Sequence, residues 1–135
     1  MSDCIFCKIV AGKIPAEKVY EDEYTFAFLD LNPVNPGHTL VLPKKHFLNI
    51  FDTPEETLSH VVITAKKVAT ALKKTGCDGV NIVSNNGGIS GQIVFHAHIH
   101  VIPRLADDGR EQWHGKPYAE GEMQQTGEKI RNAFI

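Results

Sequence analysis

Clustered positive charge is missing from this sequence: 14 Lys and Arg stand against 16 Asp and Glu, and they are spread along the chain. That distribution offers no stripe for a phosphate backbone, so long nucleic acids are not expected as partners. Long apolar runs are missing too. No segment approaches the ~18 consecutive apolar residues of a membrane span, and Met1-Ser2-Asp3-Cys4 has neither the basic segment nor the apolar stretch of a signal peptide. The expectation is therefore a cytoplasmic protein with no membrane partner. Cysteine is scarce, at three residues. Cys4-x-x-Cys7 in a reducing compartment points to metal or redox chemistry before a structural disulfide, and Cys77 has no visible partner. Repeats, low-complexity tracts and Gly/Ser linkers are also absent, so the 135 residues read as one domain, 1–135. With 42% hydrophobic and 22% charged residues, the composition is that of an ordinary globular protein.

The clearest element is a helix opening at Thr53-Pro54-Glu55-Glu56, where Thr53 is placed to cap, Pro54 suits the first position and Glu56 completes a capping box. It ends near Thr75-Gly76. Leu58, Val61, Val62, Ala65, Val68, Ala69 and Leu72 recur at three- and four-residue spacing, giving one apolar stripe. Short strand-like runs surround it at Thr25–Leu29, Thr39–Leu42, Val80–Val83 and Phe95–Ile102, divided by turn-forming clusters. The early connections are too short for helical crossovers. The expected fold class is therefore α+β, an antiparallel sheet with helices gathered on one side. The segment from Ala106 to Ile135 has weak periodicity and is expected to be an irregular tail.

Chemistry concentrates in His96-Ala97-His98-Ile99-His100. On a strand these three imidazoles share one face, roughly 6.6 Å apart, close enough to converge on one substrate or metal. A solvated face explains such a row poorly, since imidazoles are favoured nucleophiles, proton carriers and ligands. Just upstream, Asn85-Asn86-Gly87-Gly88-Ile89-Ser90-Gly91-Gln92 has glycines that let backbone N–H groups approach an anion. Alone it is a flexible loop. Beside the histidines it reads as a phosphate cradle.

The segment from Gly91 to Arg104 resembles the signature of the histidine triad (HIT) family, and the blocks Cys4–Val10, Ala27–Pro33 and Gly37–His46 resemble the family's other blocks in the same order. The resemblance covers about residues 4–104, leaving 105–135 as a C-terminal tail. It implies a HIT-like fold with one long helix and a short N-terminal helix, close to the branch that cleaves nucleoside phosphoramidates. On that resemblance His98 is the nucleophile, attacking the α-phosphorus of a purine nucleotide to give a nucleotidyl-histidine intermediate that water hydrolyses. His100 and His38 contact phosphate or assist proton transfer. Gly91, Gln92 and Asn85 belong to the phosphate site, Asp30 holds the ribose hydroxyls, and the base lies near Phe6, Phe28 and Leu29. No metal is needed for that chemistry.

One position departs from the family pattern. Ile93 stands where relatives often carry a Ser or Thr hydroxyl that helps protonate the leaving group, which bears on the choice of leaving group. Separately, Cys4 and Cys7 supply half of a tetrahedral zinc set. His46 and His96 are the candidates for the other half, as the resemblance implies, in a structural role. A homodimer is expected because Val61, Val68 and Ile63 give the long helix more apolar surface than a monomer needs. The alternatives are a diadenosine polyphosphate hydrolase and a non-catalytic nucleotide- or zinc-binding interaction module. His60 and His114 fit no motif and are expected at the surface.

Overall fold

The structure is a computed structural model describing residues 3–134. Its elements run α1 (Ile5–Val10), β1 (Lys18–Glu21), β2 (Thr25–Leu29), β3 (Thr39–Pro43), α2 (Glu55–Lys74), β4 (Gly79–Val83), a 3-10 turn (Gly88–Ser90), β5 (Ile99–Arg104) and α3 (Glu122–Ala133). The five strands form one antiparallel sheet in the order β1-β2-β3-β5-β4. This is the expected α+β architecture, but the helices are not all on one side.

Alternation along the strands divides the core into two layers. Ala27, Val41, Ile99 and Val101 face α2 and pack against Val61, Ala65 and Val68. Phe26, Phe28, Leu40 and Leu42 face the other way, against Phe6 and Ile9 of α1. Because both faces of β2 and β3 are covered, each strand runs apolar without interruption after its first residue, a buried threonine. Inside the α2 layer, Thr25 Oγ1 and Thr64 Oγ1 satisfy one another at 2.8 Å. The β2–β3 turn needs Gly37, whose φ is +101°, and a Cβ there would stand 3.0 Å from Leu72 Cδ2.

Several expectations need correction. Thr53 does not cap α2: its hydroxyl donates to the Asn49 carbonyl at 2.6 Å, and Pro54 takes the N-cap position without a side-chain bond. The C-terminal boundary at Thr75-Gly76 is as expected. The last strand begins at Ile99, not Phe95, because the chain at His96 is turned toward Cys4, Cys7 and His46. The tail is not wholly irregular, since α3 occupies Glu122–Ala133 behind a left-handed Gly121. Val61 and Val68 are buried in the chain's own core, so they provide no spare apolar surface. The large apolar side chains exposed on these elements are Val62 and Ile63 of α2 and Ile82 of the edge strand β4.

Candidate active site

On β5, His100 pairs with Leu40 of β3 and so shares the α1 face of the sheet. His98 lies just before the strand, and its ring centroid is 5.0 Å from that of His100. The Nδ1–H of His98 donates to the His96 carbonyl at 2.7 Å, since a carbonyl only accepts. Its Nε2 is therefore the unprotonated nitrogen. This is the tautomer that a nucleophilic imidazole requires.

The same reasoning fixes the next two rings. The Val34 N–H donates to His38 Nδ1 at 3.0 Å, which places the His38 proton on Nε2. That Nε2 is 2.9 Å from His100 Nδ1 and donates to it, leaving the His100 proton on its own Nε2. Asp30 stands behind the pair, with Oδ2 3.6 Å from His38 Nε2. Val34, His38 and His100 thus form a chain of directed hydrogens, with the Asp30 carboxylate close by but outside hydrogen-bond distance. Burial pushes all three triad-side imidazoles down: His98 and His38 fall below their ordinary 6.5, and His100 falls to about 4 with help from the neighbouring histidines. They are neutral at pH 7.

The glycine loop is held as a rigid arch. Gln92, 4% exposed, spends its whole amide inside it: Nε2 donates to the carbonyls of Leu48 (2.7 Å) and Val94 (3.1 Å), and Oε1 accepts from the Gly87 N–H (2.9 Å). Gly87 and Gly91 have φ of +98° and +97°, conformations that side chains resist. The Asn85 amide lies beside Gly91, 3.6 Å from where a Cβ would stand. The Gln92 amide is thus committed to shaping the loop. Ile93 is almost fully exposed and has no polar group to offer.

Among the expected base-contacting residues, Phe28 and Phe6 lie together on the histidine face, their rings edge to face at 5.4 Å. Leu29 does not join them. Alternation turns it to the opposite face, where it lines a cavity with Val68 and Leu72, so its side chain leaves the expected nucleotide set. His60 is half-buried and stacks on Tyr24 at 4.0 Å, which corrects its reading as a plain surface residue, whereas His114 is exposed as expected.

His96 is separated from the other triad histidines by its partners. It is fully buried, and its Nε2–H donates to the Pro43 carbonyl at 2.8 Å, so Nδ1 presents a lone pair. That Nδ1 lies 3.4 Å from Cys4 Sγ, 3.5 Å from Cys7 Sγ and 3.2 Å from His46 Nδ1, and Cys7 Sγ lies 3.4 Å from His46 Nδ1. A tetrahedral zinc site with Zn–S near 2.3 Å and Zn–N near 2.0–2.1 Å has S···N edges of roughly 3.5 Å and N···N edges of roughly 3.3 Å. The four residues fit those edges.

Backbone partners such as the Val34 N–H, the Pro43 carbonyl and the Leu48 carbonyl escape sequence reasoning, because no side-chain signal marks them. The sequence comparison agrees with the geometry: residues 11–107 match the HIT domain. The chain belongs to the HIT family. An uncharacterised HIT-like protein of Methanocaldococcus jannaschii is 55% identical over 106 residues, 78% of this chain and 82% of that protein. An Arabidopsis thaliana protein named adenylylsulfatase HINT3 is 41% identical over 108 residues, 79% of this chain and 55% of that one. Among solved structures, a Bacillus subtilis HIT protein shares 39% identity with a TM-score of 0.90, over 98% of both chains. A zinc-bound histidine triad protein of Mycobacterium smegmatis shares 36% identity with a TM-score of 0.79, over 98% of both chains.

Proposed function

We propose that this HIT protein is a hydrolase or nucleotidyl transferase that cleaves purine nucleotide conjugates at the α-phosphorus through His98. The observation that carries this reading is the 2.7 Å bond from His98 Nδ1 to the His96 carbonyl, which leaves Nε2 free to attack. In the first step Nε2 forms a bond to phosphorus and the leaving group departs with the electrons of its own bond to phosphorus. The ring becomes a nucleotidyl-imidazolium, its charge supported by the Nδ1–H donated to the carbonyl. Water then attacks phosphorus, loses a proton, and releases the nucleoside monophosphate and neutral His98. His100, whose Nε2–H is directed outward by the His38 chain, hydrogen-bonds the phosphate or its leaving atom. Asp30 receives the ribose hydroxyls, Asn85 and the Gly91 segment border the phosphate, and Phe28 lies beside the base.

An amine leaving group must gain a proton as its bond to phosphorus breaks, and Ile93 supplies none; a sulfate leaves without one. A turnover panel at equal concentrations separates these cases. It compares an adenosine phosphoramidate, adenylyl sulfate, a diadenosine polyphosphate, ADP and a nucleotide sugar. Release of AMP from the first two supports the reading, and saturable AMP binding with no turnover of any member refutes it in favour of a binding module.

The Cys4, Cys7, His46 and His96 set is assigned to structural zinc, which supplies cross-linking of α1 to the start of the catalytic segment and no step of the reaction. A homodimer is inferred from Val62, Ile63 and Ile82, exposed on the α2 and β4 side. Sedimentation velocity at micromolar concentration is expected to give twice the chain mass; a monomer there contradicts it.

Acid sensitivity follows from the buried imidazoles. His100 resists protonation down to about 4 in the folded chain but takes up a proton near 6.5 when unfolded. The unfolded state therefore binds more protons between those values, and stability falls as pH drops from about 6.5 toward 4. Melting curves across that range check this, and His100→Asn is expected to flatten the dependence.

A further inference from the structure

The imidazole of His98 lies against the His100 ring, tilted at 59° with centroids 5.0 Å apart, and is held from two further sides. One hold is the His96 carbonyl on Nδ1. The other is Phe6, whose ring meets that of His98 edge to face, with centroids 5.1 Å apart and planes at 80°. A single hydrogen bond fixes one atom of a ring, and the outer torsion of histidine is broad, so the carbonyl alone does not set the plane of His98. A second contact is needed to aim Nε2.

Phe6 is itself well fixed. It sits on α1 between Cys4 and Cys7 and is only 6% exposed. Its ring is edge to face with Phe28 at 5.4 Å and with His96 at 5.9 Å. We propose that Phe6 is a positioning residue for the nucleophile, setting the plane of the His98 ring. This rests on the assignment of His98 as nucleophile. In the attack step small errors in aim are costly, since reacting atoms must approach along one line at ~3–3.5 Å. Leucine at position 6 would still fill much of the apolar space but has no flat edge to hold an imidazole.

The test is the Phe6→Leu variant, mixed in rapid-quench single turnovers with an adenosine phosphoramidate, together with its equilibrium affinity for AMP. Phe26→Leu is the control, because Phe26 is equally buried in the same apolar layer yet has no ring contact with a histidine among the described residues. The expected result is nucleotidyl-His98 formation slowed about tenfold or more in Phe6→Leu, with AMP affinity within about twofold of the parent. Phe26→Leu should lose comparable thermal stability and keep its rate. The inference is overturned if Phe6→Leu forms the intermediate at the parent rate, if weakened AMP binding accounts for the whole loss, or if Phe26→Leu slows equally. Absence of nucleotidyl-His98 in the parent protein is a distinct result that overturns the His98 assignment, and this inference with it.

Discussion

Replacing His98 with alanine is expected to lower kcat/KM by ~10³-fold or more while AMP binding and the melting temperature stay close to those of the parent protein. The imidazole is half-buried at the edge of the site, and among the described residues its only hydrogen bond is to a backbone carbonyl, so its removal breaks no side-chain hydrogen bond there. The covalent route, by contrast, finds no second imidazole in the triad: His100 Nδ1 is occupied by His38, and His96 turns its lone pair into the Cys/His cluster. A thousandfold loss corresponds to about 4 kcal/mol of transition-state stabilisation. A variant that keeps more than about a tenth of the parent kcat/KM contradicts the assignment.

The second large effect is on stability. Replacing both Cys4 and Cys7 with serine is expected to abolish stoichiometric zinc and to lower the melting temperature by on the order of 10 °C. A ligand present at a thousand times its Kd contributes about 4 kcal/mol to the folded state, and each kcal/mol moves the melting point of a domain this size by a few degrees. At low temperature turnover should survive within about tenfold, since α1 stays anchored by Phe6 and Ile9 and the nucleophile is intact. Metal analysis of untagged protein checks the first half. Less than about half an equivalent of zinc per chain makes the cysteines bystanders, and an unchanged melting point with lost activity would put the metal in the chemistry.

Much of the fold was legible because its signals are local. The stripe from Leu58 to Leu72 located α2, and the apolar runs at Thr25–Leu29 and Thr39–Leu42 located the two strands buried on both faces. Elements whose signals are weak were missed. Strand β1 is a four-residue, largely exposed edge, so Val19 and Tyr20 stand without a periodic context. Helix α3 buries no residue, and its narrow stripe of Met123 and Ile130 is diluted by Gly127 and polar neighbours, although Gly121 followed by Glu122 marks its start. At Thr53 the capping pattern was present, but the Asn49 carbonyl competes successfully for the hydroxyl.

The site was legible as residue types and less so as roles. Sequence spacing put three histidines in a row, yet it could not separate His96 from His98, because that separation depends on Cys4, Cys7 and His46 arriving from distant positions. The resemblance puts Leu29 with Phe28 beside the base, although neighbours on a strand face opposite ways. Gln92 looked like a ligand for phosphate, and only its three short bonds reveal that the loop consumes its amide. The Ile93 departure is plain in the sequence, and its chemical consequence is limited to leaving groups that need a proton.

The measurement that bears most directly on the account is mass analysis of the protein quenched within milliseconds of mixing with an adenosine phosphoramidate or adenylyl sulfate. Acid-labile addition of one adenylyl group, located by peptide mapping to His98 and absent from His98→Ala, is the predicted result. An adenylyl group found on another residue, or AMP released with no covalent species at any quench time, would contradict it.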